Sequence, residues 1–64
     1  MMQKRIKDVR RGEFFRVSAS ENGKVYIRKE YDRSEKRYLG QEFDDASSGR
    51  YFKADRLVYV GFTF

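Results

Sequence analysis

The residues best suited to chemistry in this chain are tyrosines set beside arginines and lysines in strand-like alternation. They recur in Lys24-Val25-Tyr26-Ile27-Arg28, in Arg37-Tyr38-Leu39, in Arg50-Tyr51-Phe52-Lys53 and in Leu57-Val58-Tyr59-Val60. A phenol ring stacks on a nucleobase and a guanidinium grips a phosphate with two parallel donors, so a face of this kind suits an acidic polymer that carries bases. The candidate nucleic-acid-binding set is Tyr26, Arg28, Arg37, Tyr38, Arg50, Tyr51 and Tyr59, with Arg16 close to it. Stacking contributes roughly 1–3 kcal/mol per base, and the phosphate attraction that joins it falls with salt. Cross-strand Tyr–Arg pairs also stabilise a sheet with no ligand bound, so the other reading of this face is a solvated exterior.

Cysteine and histidine are both absent. That removes disulfides, thiolate and imidazole metal ligands, Cys–His and Ser–His nucleophiles, and the usual proton shuttle near neutral pH. Asp44 and Asp45, with Asp32 or Glu42, lack the alternating acidic spacing of a calcium loop and read as turn formers. As a general acid and base they would have too little chain around them to wall off a pocket. The expectation is a protein that is not an enzyme, with no catalytic residue, metal or cofactor.

The net charge is +5, from 15 Lys and Arg against 10 Asp and Glu, and this balance favours acidic partners. Arginine outnumbers lysine nine to six, which suits bidentate phosphate contacts. A second basic group, Lys4, Arg5, Lys7, Arg10 and Arg11, reads as a solvated terminus, flexible over residues 1–5, or else as an arm along a phosphate backbone. The expected partner is nucleic acid or, in the alternative, a protein docked on the aromatic face or on an unpaired strand edge, with the chain a monomer or weak homodimer. The chain has no disulfide-forming residue, no apolar leader at its start and no run of about 20 apolar residues, which leads us to expect a cytoplasmic protein with no membrane partner.

To position the tyrosines, 64 residues allow one domain, which buries only about 60% of its unfolded surface. Ile6 and Val9, three apart, are expected in a single turn tucked under a sheet, with Gly12 releasing the chain into a first strand, Glu13 to Ser18. Glu21-Asn22-Gly23 reads as a hairpin turn into strand two, Lys24 to Glu30, with Val25 and Ile27 inward and Tyr26, Arg28 and Glu30 outward. Asp32 to Glu35 forms the next loop. Strand three, Lys36 to Phe43, needs a bulge near Gly40 to place its rings. A loop at Asp44 to Gly49, a short strand Arg50 to Lys53, a turn at Ala54 to Arg56 and a last strand Leu57 to Phe64 follow, the last with Val58, Val60, Phe62 and Phe64 inward. The fold class is all-β, a small five-stranded antiparallel SH3-like barrel, with an OB-like barrel or an open curled sheet as alternatives.

Glu30-Tyr31-Asp32-Arg33-Ser34-Glu35-Lys36-Arg37-Tyr38, Phe43-Asp44-Asp45 and Val58-Tyr59-Val60-Gly61-Phe62-Thr63-Phe64 resemble a group of short proteins from gut bacteria and their mobile elements for which no activity is established. The likeness runs from about Ile6 onward and implies a compact stand-alone domain without assigning it a site. Ile6-Lys7-Asp8-Val9-Arg10-Arg11-Gly12 followed by Phe14-Phe15 is also similar to the opening of many SH3-like barrels.

Overall fold

Short runs rich in β-branched and aromatic residues, cut by Gly, Asp and Ser, become strands because each can bury one face and leave turn residues between. In the computed structural model, which describes residues 2–18, 24–45 and 47–61, they form one antiparallel sheet. Its strands are β1 (Met2–Arg5), β2 (Phe14–Arg16), β3 (Val25–Asp32), β4 (Arg37–Glu42), β5 (Gly49–Lys53) and β6 (Leu57–Val60), in the order β1-β6-β2-β3-β4-β5. The sheet is open, with β1 and β5 as its edges, which fits the open-sheet alternative. The Glu21-Asn22-Gly23 turn and the inward Phe62 and Phe64 lie outside the described residues.

The strand count among the described residues is six where the sequence suggests five, because Met2–Arg5, expected as a flexible terminus, pairs with β6 from Met2↔Val60 to Arg5↔Leu57. With Met2 its only apolar residue, β1 carries no hydrophobic alternation, so its place is set by backbone pairing to an otherwise open edge. A single 3₁₀ turn, Ile6–Asp8, follows as expected and buries Ile6 with Val9 after it. The Ile6 N–H donates to the Arg56 carbonyl at 2.9 Å and the Lys7 N–H to that of Ala54 at 3.2 Å, tying this turn to the β5–β6 connection. Gly12 then takes a φ of 87°, open to glycine at little cost, and its N–H donates to the Arg28 carbonyl at 2.7 Å.

The core comprises Ile6, Val9, Phe15, Tyr26, Phe52, Val58 and Val60. Tyr26, read as an outward stacking ring, is 3% exposed, which corrects its face. It pairs directly with Phe15 across the β2–β3 ladder, and directly paired residues share a face, so Val25 and Ile27 turn to the other side and are only half-buried. Phe15 and Tyr26 stack at 5.6 Å and 19°, while Phe52 meets them edge-on at 5.4 and 5.6 Å. The register shift lies in β3, between Arg28 and Tyr31 and opposite Tyr38 to Gly40, rather than in β4 itself.

Gly40 lies beneath the rings of Phe15 and Phe52. A Cβ there would fall 2.7 Å from Phe15 Cζ and 2.7 Å from Phe52 Cε2. Gly40→Ala is therefore expected to destabilise the fold by about 1–3 kcal/mol through overpacking. A urea unfolding curve would show a lower midpoint at unchanged slope, and an unchanged midpoint would mean that the rings move aside freely.

Candidate nucleic-acid interface

Ladder register decides which candidate residues meet. On the core face Arg28, Gly40 and Arg50 form one cross-strand row, and Tyr31, Tyr38 and Phe52 form the next. The extra residue of β3 brings Tyr31 onto this face, because one inserted position reverses the alternation beyond it. The Arg28 Cζ lies 4.5 Å from the Tyr38 ring centroid and the Arg50 Cζ lies 5.2 Å from that of Phe52, so both guanidiniums lean over the aromatic row. Tyr31 and Tyr38 pack at 4.6 Å between centroids. Arg28 is half-buried, and its Nε is shielded with no hydrogen-bond partner.

The back of the same two strands carries the rest. Leu39 pairs with Tyr51, and Arg37 pairs with Lys53. Tyr51 is 53% exposed, the most open tyrosine of the candidate set. A shallow groove of about 280 Å³ follows the free edge of β5, lined by Arg37, Arg50, Tyr51, Phe52, Lys53, Asp55 and Arg56. Four cations there face one carboxylate. The volume is at the lower limit of roughly 300–1,000 Å³ for small-molecule sites, and a polymer crossing an edge fits it better than an enclosed substrate.

The structure thus gathers Arg28, Arg37, Tyr38, Arg50 and Tyr51 on β3, β4 and β5. Tyr26 is in the core, and Tyr59 is half-buried on β6, paired with Arg16 and separated from β4 by β2 and β3. Tyr31, Lys53 and Arg56 join the cluster without having been in the sequence-derived set. Alternation could not reveal Tyr31, because the bulge that reorients it has no signature in Lys29-Glu30.

Electrostatics set this end of the sheet apart. The ion pairs among the described residues are Lys4–Glu13 at 3.7 Å, Arg11–Glu30 at 3.4 Å and Lys24–Glu42 at 2.9 Å. None of them engages Arg28, Arg37, Arg50, Lys53 or Arg56. Glu42 raises the Lys24 pKa above its ordinary 10.5, by hydrogen bond first and charge second, so that pair contributes below pH 10.5 and fades as the pH rises through the higher folded value. Asp45, at the tip of the β4–β5 loop, is lowered from 3.8. The Ser47 hydroxyl donates to it at 2.7 Å, the Ser48 hydroxyl at 2.8 Å and the Ser47 N–H at 3.1 Å, all favouring the ionised form. Among the described residues no cluster of acidic ligands could hold a metal ion, and no helix is long and apolar enough to cross a membrane.

No family model, curated protein or solved structure matches the chain. The reading of this surface therefore rests on its geometry.

Replacing both Ser47 and Ser48 with alanine should move the Asp45 carboxyl back up toward 3.8, as followed by its carbon resonance through an acid titration. A folded depression makes the loop's contribution present above pH 3.8 and lost as pH falls through the lower folded value, so the double variant should also lose less stability on acidification. An unmoved resonance would show that the serine hydroxyls do not hold the carboxylate.

Proposed function

We propose that the chain is a small nucleic-acid-binding module that engages unpaired bases and their phosphates, largely without sequence preference, at the β3–β4–β5 end of its sheet. One observation carries this reading. Arg28 leans over Tyr38 on one face, Arg37, Arg50, Lys53 and Arg56 line the β5 groove with Tyr51, and among the described residues no carboxylate pairs with any of the five. Cations left without acids on a rigid sheet are ready to neutralise phosphates, and neighbouring rings accept any base because every base has a π face. The net charge of +5 works in the same direction.

The meander from β2 to β5, with β6 returning beside β2, supports an SH3-like arrangement to which β1 is added. Such scaffolds serve several kinds of partner, so the fold does not choose among them. The free edge of β5 favours a second reading, in which a protein partner adds a strand there through backbone hydrogen bonds. A cytoplasmic location without an enzymatic role accompanies both readings, motivated by the lack of cysteine and of histidine.

Labelled single-stranded and duplex oligonucleotides titrated at about 50 and about 200 mM salt test the proposal, because counterion release makes phosphate binding weaken steeply over that range. Tight binding at low salt that weakens at the higher value is expected, and no binding at low salt overturns the reading. Tyr51→Ala should cost about 1–3 kcal/mol of that affinity with the unfolding midpoint kept, since the ring is exposed. Tyr26→Ala should instead lose about 3–5 kcal/mol of stability, as a core ring does.

A further inference from the structure

The face of β2 to β5 turned away from the core carries an apolar strip. Phe14, Ile27, Gln41 and Gly49 form one cross-strand row on it, and Leu39 and Tyr51 form the next. Phe43 joins the strip from just beyond β4, where its ring meets Phe14 edge-on at 5.6 Å and 78°. Phe14, Phe43 and Tyr51 remain 36%, 50% and 53% exposed, while Ile27 and Leu39 between them are half-buried. A contiguous patch of large apolar side chains on a water-facing sheet marks a surface that meets another one.

The charges at the two ends of the strip identify the other surface. Arg37 and Lys53, paired across β4 and β5 and both exposed, close one end. Asp44 and Asp45, also exposed, follow Phe43 at the opposite end. Among the described residues no ion pair engages any of these four. A face with cations at one end, carboxylates at the other and an apolar middle is complementary to itself after a half-turn. We infer that this face is a two-fold interface with a second copy of the chain, packed sheet on sheet. The two-fold axis runs across the strands and so reverses their direction. Arg37 of each copy then stands against Asp44 of the other, and the Phe14–Ile27–Gln41 row covers the Leu39–Tyr51 row. An axis along the strands would instead place like charges together, which disfavours that arrangement. The strip spans about 20 Å along the strands and about 14 Å across four of them, small beside the roughly 800 Å² per partner of a standard interface, so the dimer is a weak one. Because Tyr51 lies within the strip, dimerisation withholds that ring from the bases proposed above and leaves it available in the monomer.

Sedimentation velocity of the full chain from about 10 µM to about 1 mM, without oligonucleotide, tests the interface, and a shift from monomer to dimer within that range is expected. Leu39→Asp, at the middle of the strip, should abolish the dimer. R37D and D44R alter exposed side chains, so each should keep the unfolding midpoint and weaken the dimer about tenfold, since two-fold symmetry makes each charge contact occur twice. Combined, R37D and D44R exchange the two charges and should restore association to within about threefold of the wild type. A monomer throughout the range overturns the inference. So does a dimer that the single charge variants leave unchanged, or one that the double variant fails to restore, because association then uses another surface, such as the free edge of β5. No nucleic acid enters these measurements, so a failed dimer leaves the nucleic-acid reading in place and a failed oligonucleotide titration leaves the dimer in place.

Discussion

Close approach of two rings, Phe15 and Phe52, over a residue without a side chain is the contact on which the rest of the molecule depends. Phe15 and Phe52 come from β2 and β5, join Tyr26 of β3 in one aromatic cluster, and leave no room for a Cβ where β4 presents Gly40 beneath them. Among the described residues the core has seven buried apolar side chains, and each large ring contributes a substantial share of the total burial. On either side of the same position, in the same cross-strand row, Arg28 leans over Tyr38 and Arg50 over Phe52. Stability and the candidate site therefore draw on one position, and the geometry of either constrains the other.

The bulge in β3 does related work further along the strand. Before it, Tyr26 and Arg28 occupy the core face, and after it Tyr31 returns to that face beside Tyr38. Stacked guanidiniums and paired rings hold one another at modest energy, about 0.5–1 kcal/mol for an exposed cation over a ring. The hairpin that follows is closed by Asp32, whose carboxylate accepts from the Ser34 and Glu35 N–H groups, and by Lys36 at a φ of 55°. Its turn chemistry sets where β4 begins, and with it the register of Arg37, Tyr38 and Gly40.

Much of this architecture is legible in residue order. Ile6 and Val9 sit in their tucked turn, Gly12 has its positive φ, and Phe15, Val58 and Val60 point inward as alternation requires. Alternation alone could not assign the face of β3. Val25 and Ile27 look like core residues by type, but the deciding fact is that Tyr26 lies opposite Phe15, and pairing partners are not written in a single strand. Nor could composition find β1, where four mostly polar residues gain their place from the backbone groups of β6. The site was legible as a density of Tyr and Arg, while its membership depended on register: Tyr31 entered through an insertion, and Tyr26 and Tyr59 left through burial and distance.

The tie at the N-terminal side has a consequence for how the chain comes to be folded. Met2 pairs with Val60, and the turn at Ile6–Asp8 is bonded to the β5–β6 connection, so segments near the two ends of the described chain complete each other. Contacts this distant in sequence close late, after the loop entropy between them has been met. As the chain emerges from synthesis, residues 2–5 must therefore wait for β6 before their backbone groups can pair. Completion of the β1 edge is thereby tied to Leu57–Val60, and any change that slows their delivery lengthens the time for which residues 2–5 remain without a strand partner.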